Sequence, residues 1–547
     1  MPTRPSSTAP SWVRTLRLTQ PQSLGVLFLV ILVVACTAPV PAARTEPSAS
    51  VAAKATVPLA ANTFQILHTN DIHGHLDSTK VTTGGRTFEQ GGMAILGGMI
   101  QQQRSRAPQR TIVLDGGDAW VGVLISAIDH GRSVVRAMSL IGYDAMALGN
   151  HDFDWGQDEL TQRAKEASFP FLAANLVQDA TGTTPPFAKP YVVKDVGIAK
   201  VGIIGVTYPS ATIIRAASVK GLTFLPAIES VRKWMPEVQK QADVIIVVSH
   251  LGIEGGSARV GGGDTALAQA VPGIDLIIGA HDHQAFRTAR TSGTTKIFQT
   301  GSYTDNLGRV EVTIDPATRK VTAVQGADVL LPVSTGAAPP LPEVATLVAE
   351  RRSEAEKAGA KVIGSAAGLF EESRDMNNPL GNLVADALLE HGKQQGWKSE
   401  IAFYNSAGTR ASISKGDITY GKLAEVLPFQ NSVVSVDLTG DQLKEVFEGM
   451  AGSAGRLFMS GGTMAYRFAN PPGSRVLRAT VAGQPLDPKR VYHVVTIDYL
   501  LGGGDGHTGF GKGTNVVYGD MDVDAVAPYL LSHSPLSPTS PGRVTQE

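Results

Sequence analysis

Phe64-Gln65-Ile66-Leu67-His68-Thr69-Asn70-Asp71-Ile72-His73-Gly74 is the stretch from which the fold of this chain can be read. The apolar run at 64–67 predicts a short, buried β-strand. It leads to a carboxylate and an imidazole two residues apart, Asp71 and His73. The same arrangement returns four times. The apolar run at 111–114 leads to Gly117-Asp118, and that at 145–148 to Gly149-Asn150-His151-Asp152. The run at 244–248 leads to His250, and that at 276–278 to His281-Asp282-His283. Open α/β sheets place their ligands at the carboxyl ends of strands. Carboxylates, imidazoles and an amide form the mixed oxygen and nitrogen set that divalent cations of the Zn, Mn, Co, Fe or Mg group take.

A lone His beside a strand is usually a packing residue, and a lone Asp there is usually a cap. Five such exits in one chain predict a two-cation hydrolase site. A phosphate ester repels its nucleophile. Two cations about 3.5–4 Å apart neutralise the ester oxygens and acidify a bridging water, so that hydroxide is present near neutral pH. Asp118, central in the order, is expected to bridge the cations. Asp71 and His73 are expected to share one ion, Asn150 to add a neutral oxygen, and His250, His281 and His283 to complete the shells. His151 follows Asn150 directly and is expected to meet the substrate, as a general acid or as a cation on developing charge. Asp154, three residues on, is expected to hold that imidazole in one tautomer and raise its pKa.

The stretch Ile66–Gly74 resembles the opening signature of the 5′-nucleotidases, a branch of the calcineurin-like metallophosphoesterases. Gly149-Asn150-His151-Asp152-Phe153-Asp154 resembles their second signature, and Gly279-Ala280-His281-Asp282-His283 is similar to the Gly-His-x-His element of the superfamily. Many 5′-nucleotidases carry Asn or Gln where His283 stands. Downstream, Leu380-Gly381-Asn382, Asn405-Ser406-Ala407-Gly408-Thr409-Arg410, Pro428-Phe429-Gln430-Asn431 and Gly503-Gly504-Asp505-Gly506 resemble elements of the family's nucleotide-binding domain. The resemblance implies a four-layer α/β/β/α metal domain, a linking helix and a smaller α/β substrate domain. It implies that Phe429 and Tyr499 sandwich a base, that Asp505 accepts from ribose hydroxyls, and that Asn405 and Arg410 bind phosphate or base edges. Arg374 is the nearest counterpart of an arginine that the family places just before Leu-Gly-Asn. Here residues 375–379 intervene.

At 547 residues the chain is too long for one core. Its net charge of −1 and lack of a basic run argue against nucleic-acid polymers as partners. Arg4, Arg14 and Arg17 precede an apolar run at 24–35, too short for an ordinary membrane span. It ends in Val34-Ala35-Cys36, which resembles a bacterial lipoprotein box, and Cys36 is the only cysteine. The expected reading is an exported protein anchored to the membrane by lipid on Cys36. The alternatives are an incidental thiol or simple secretory cleavage after an Ala near 42–43. The expected organisation is a signal segment at 1–36, a flexible tether at 37–61, the metal domain at 62–335, a linker and solvated connecting helix at 336–361, the nucleotide domain at 362–533, and a frayed tail at 534–547. Gly506–Gly513 is similar to a P-loop, but no Ser or Thr stands directly after Lys512 and the next residues predict a strand.

The expected function is release of phosphate from nucleoside 5′-monophosphates by attack of a metal-bridging hydroxide, with diphosphates or nucleotide sugars as further substrates. The alternatives are a 2′,3′-cyclic phosphodiesterase with 3′-nucleotidase activity and a non-catalytic surface binding protein.

Overall fold

In the first domain, successive residues of each strand point to opposite faces, and both faces are apolar. Phe64, Ile66, Ile112 and Leu114 from one sheet meet Ile203, Val244, Ile246, Val248 and Ile278 from another in a single buried cluster. The intervening residues Leu67, Val113 and Met146 turn outward, onto Leu96, Ile100, Val134 and Met138 of covering helices. On the far side Ile204, Ile245, Val247 and Ile277 pack on Val231, Met235, Val238 and Leu267. Three stacked cores between two helical layers and two sheets make a four-layer α/β/β/α domain. Burial of this kind contributes about 1.5–3 kcal/mol per large aliphatic side chain.

The computed structural model describes residues 57–83, 86–208, 218–254, 262–429, 431–452 and 454–547. Cys36, the signal segment and most of the expected tether lie outside them. The end of that tether is not free chain: Leu59 is buried, and Arg106 Nε donates to the Val57 carbonyl at 2.9 Å. The first sheet runs Val321–Val324, Asn306–Ile314, Thr63–Thr69, Thr111–Asp115, Ala145–Ala147, Phe171–Leu172. Its last four strands are parallel, with Gln65 opposite Thr111 and Leu114 opposite Ala145. The second runs Arg290–Ser292, Thr295–Phe298, Leu276–Ile278, Val244–Ser249, Lys200–Val206, Tyr191–Asp195. Its four middle strands are parallel, so both sheets send strand ends toward one rim.

The connecting helix Pro342–Gly359 starts with Pro at its first turn. Its charges predict a solvated element, but Val344, Leu347 and Val348, at helical spacing, are buried in the first domain's core. Arg352 pairs through two nitrogens with Asp77, tying the helix to the loop after the first strand. The second domain has a sheet in the order Leu457–Ser460, Ile401–Asn405, Val491–Ile497, Ser432–Thr439, Thr514–Met521. Helix Pro379–Gln394 packs against it, its start capped by Asn378, whose side chain accepts from the Gly381 N–H. Residues 534–547 are not frayed. Leu536 is buried in the core, and Val544–Gln546 pairs in parallel with Gly462–Tyr466. The strand Thr514–Met521 directly after Gly513 stands where a P-loop would require a helix, as the sequence predicts.

Candidate metal centre and substrate cleft

The candidate ligands follow strand ends, and at five of the seven the turn forces unusual backbone. Asp71, His73, Asp118, His281 and His283 all hold positive φ, at 51°, 49°, 55°, 85° and 53°. Outside glycine, such conformations cost of order 1–3 kcal/mol each and cluster at functional sites. The turns also need glycine for space. A Cβ on Gly149 would lie 2.1 Å from Asp118 Oδ1.

Among the described residues, Asp71, His73 and His283 form one group of convergent ligand atoms, and Asp118, His250 and His281 a second, with atoms of each group within 4.8 Å of one another. His73 Nε2 faces His283 Nε2 at 3.2 Å, and His283 Nε2 lies 3.4 Å from Asp71 Oδ1. In the second group His250 Nε2 lies 3.0 Å from Asp118 Oδ2. The same Asp118 oxygen is 3.9 Å from His73 Nε2, so it reaches both groups. Asn150 Oδ1 stands 3.1 Å from His281 Nδ1.

Backbone contacts aim these atoms. His73 Nδ1 and His250 Nδ1 each lie 2.8 Å from a carbonyl, of Val121 and Gly116. A carbonyl only accepts, so each Nδ1 carries a proton, and on a neutral ring Nε2 is left with a lone pair for a cation. Asp71 Oδ2 accepts from Asn70 Nδ2 at 2.6 Å and from the His281 N–H at 3.0 Å. Burial carries His73 down to about 4 and His281 down to about 3, keeping both neutral. Burial opposes the charged form of His250 too, but Asp118 outweighs it and carries His250 up to about 10.

His151 stands beside this cluster, its ring 5.6 Å from that of His73. Its Nδ1 donates to Asp154 Oδ2 at 2.7 Å. Burial works against the imidazolium, yet Asp154 and then Asp118 hold its pKa well above the usual value. Asp498 of the second domain adds to that effect, and its own carboxyl is pushed up to about 6, chiefly by burial.

The second domain's aromatic candidates are not core residues: Phe429 is 41% and Tyr499 45% exposed. The Arg410 guanidinium lies 5.9 Å from the Phe429 ring centroid. Asp505 is already engaged, accepting from Tyr499 Oη at 2.9 Å and from Asn405 Nδ2 at 3.2 Å. Arg374 donates to the Ser406 carbonyl, beside Asn405, and lies 3.5 Å from Glu372.

Residues 64–285 match the calcineurin-like phosphoesterase model, and residues 362–512 the 5′-nucleotidase C-terminal domain model. A 5′-nucleotidase of Rattus norvegicus is 30% identical over 88% of this chain and 90% of its own length. The chain belongs to the 5′-nucleotidase family. The crystal structure of a 5′-nucleotidase precursor from Thermus thermophilus superposes with a TM-score of 0.67 at 30% identity, covering 88% of this chain and 99% of that one. A structure from Staphylococcus aureus gives 0.75 at 21% identity, covering 89% and 100%, and supports the fold. As a member of the family, the chain is a metal-dependent phosphoester hydrolase.

The residues present fit divalent cations. Asp71 Oδ1 and His250 Nε2 are buried without a hydrogen-bond partner in line, and both point into the ligand groups. His73 Nε2 and His283 Nε2 face each other at 3.2 Å, close enough for one cation to accept lone pairs from both rings. Sequence reasoning assigned no role to Asp152, which fastens two ligand turns together. It accepts the N–H groups of Gly149, Asp118 and Ala119 at 2.8, 3.0 and 2.9 Å. Its place within Gly149-Asn150-His151-Asp152 was the only signal. Asp282, between two histidines, accepts instead from the Ile253 N–H at 2.9 Å.

Proposed function

We propose that this chain releases phosphate from nucleoside 5′-monophosphates, with nucleoside diphosphates or nucleotide sugars as further substrates, using a pair of divalent cations. The observation that carries the reading is the position of Asp118 Oδ2, within reach of both ligand groups, with the protonated His151 alongside. Asp71, His73 and His283 would hold one cation and Asp118, Asn150, His250 and His281 the other, with Asp118 shared. When bound, the cations would neutralise the phosphate oxygens and acidify the attacking water.

The remaining chemistry belongs to side chains. His151, backed by Asp154, gives its proton to the departing ribose oxygen or holds the charge that develops there. Phe429 and Tyr499 stack the base, a contact of ~1–3 kcal/mol per ring-stacked base. Asp505 takes a ribose hydroxyl, and Asn405, Arg410 and Arg374 hold phosphate oxygens or base edges. The rat and Thermus relatives, both named 5′-nucleotidases, support the 5′ position over the cyclic or 3′ alternatives. Export and a lipid anchor on Cys36 complete the proposal; no described helix is long and apolar enough to cross a membrane.

The test is phosphate release from 5′-, 3′- and 2′,3′-cyclic nucleotides with Mn²⁺, Zn²⁺, Co²⁺ or Mg²⁺ in turn. Release from AMP but not from 3′-AMP is expected. Turnover confined to cyclic or 3′ substrates overturns the proposal. Binding without turnover under every metal assigns a non-catalytic role.

A further inference from the structure

The loop after the strand Thr295–Phe298 carries two consecutive non-glycine residues with left-handed backbone, Tyr303 at φ 59° and Thr304 at φ 63°. Such strain persists only where the surroundings over-determine it. Here they do. The Tyr303 N–H donates to the Asp71 carbonyl at 2.9 Å, and the Thr304 hydroxyl accepts from the Gly92 N–H at 2.7 Å. Asn70 accepts from the Thr300 N–H and hydroxyl at 2.8 and 2.7 Å and donates to the Gly301 carbonyl at 2.7 Å. Val333 N–H closes the loop onto the Asp305 carbonyl at 2.9 Å.

All this fixes one aromatic ring. Tyr303 stacks on His75, centroids 4.4 Å apart and planes 30° from parallel. It stands 5.9 Å from His73 and 5.5 Å from His283, two residues of the first ligand group. Tyr303 is half-buried, and its hydroxyl makes no hydrogen bond among the described residues. Packing against His75 needs only a phenyl ring, so the free hydroxyl is the part of this strained loop that packing leaves without a role.

We propose that the Tyr303 hydroxyl contacts the substrate: it donates a hydrogen bond to the phosphate oxygens and so seats the phosphate against the first ligand group. The contact deepens the function proposed above and rests on it only for the identity of the ester. The grip on phosphate itself needs only the phosphoester chemistry of the family.

The experiment uses the metal-loaded full chain and Tyr303→Phe, which keeps the ring and its stack on His75. Metal content per chain, KM and kcat for AMP and for a small aryl phosphate, and the inhibition constant of inorganic phosphate are measured. Loss of a hydrogen bond to a charged group raises the phosphate inhibition constant by roughly 10-fold or more. KM for both esters is expected to rise with it at unchanged metal content. Unchanged constants for phosphate and for both esters overturn the proposal. So does an effect confined to AMP, which places the contact on the nucleoside, and so does loss of metal, which makes the ring structural. If the native chain cleaves the aryl phosphate but not AMP, the nucleotide reading fails, and the inorganic phosphate arm still decides the role of Tyr303.

Discussion

Asp154→Asn removes one negative charge from behind His151 and leaves the size of the side chain unchanged. The native carboxylate is 3% exposed and takes the Nδ1 proton at 2.7 Å, so the bond is short, enclosed and charge-assisted. Hydrogen bonds to charged groups contribute about 1.5–3 kcal/mol. At 1.36 kcal/mol per decade this is roughly a 10- to 150-fold effect on the barrier. The amide oxygen still accepts, so a fall in kcat/KM of about 10- to 100-fold is expected, smaller than the ~10²–10⁴-fold loss for removing the proton carrier itself in His151→Asn. The pH dependence has a definite sign. Burial opposes the imidazolium, but Asp154 and Asp118 lift its pKa well above the usual value. The proton therefore persists to higher pH than on a free histidine, and a step that uses it fails as pH rises through that raised value. Removing Asp154 lowers the value, so the alkaline limb of the kcat/KM profile moves toward lower pH. The assay is steady-state phosphate release from pH 5 to 10 on metal-loaded protein, with metal content measured in parallel. An alkaline limb in the native position would refute the assignment of Asp154 as the partner that keeps His151 charged.

Asp118→Asn is expected to lower metal content in both ligand groups and abolish turnover, read by elemental analysis beside activity; two retained metals at a near-normal rate would exclude Asp118 as the shared ligand. Gly149→Ala places a methyl group 2.1 Å from Asp118 Oδ1 and is expected to weaken metal retention with little change in secondary structure by circular dichroism. Phe429→Ala is expected to raise KM for AMP by roughly 10- to 100-fold, the magnitude of a lost stacking contact, while leaving a small aryl phosphate nearly unaffected; equal damage to both would make the ring a support of the fold. Cys36→Ser is expected to move the protein from the membrane fraction to the soluble fraction with activity intact, and unchanged membrane association would remove the lipid-anchor reading.

The strands were legible because they are buried on both faces. The run at 244–248 is apolar at every position, and the strand observed is Val244–Ser249. Their polar ends were not legible. Asp115 closes the strand Thr111–Asp115 and is fully buried, its carboxylate accepting from the Gly117 N–H at 2.9 Å and, across the sheet, from the Thr69 hydroxyl at 2.6 Å, a tertiary bond the sequence does not announce. The strand order of the first sheet leaves no local trace, since the antiparallel neighbour of Thr63–Thr69 is Asn306–Ile314, more than two hundred residues away. The tail misled through composition: its Ser and Pro residues predict loose chain, while Leu536 and Val544, eight residues apart, are single apolar residues with no periodic pattern to reveal their burial. Tyr303 was invisible for a related reason. An aromatic in a loop carries no period, and the ring's place beside His73 and His283 comes from bonds to Asn70, Asp71 and Gly92, which are distant in sequence.

The left-handed turns under the ligands restrict which letters the gene can try there. Positive φ is tolerated, glycine aside, chiefly by Asn, Asp and His, and the same three residues are short side chains that bind divalent ions. At Asp71, His73, Asp118, His281 and His283 the backbone and the chemistry therefore impose one shared alphabet. His283, the most exposed of the five, has the easiest path to change: a single-nucleotide step from His to Asn or Asp keeps both the turn and a donor atom, whereas a β-branched replacement loses both at once. Variation at this rim is expected to run along that narrow track, altering which ion is held while the fold beneath it stays the same.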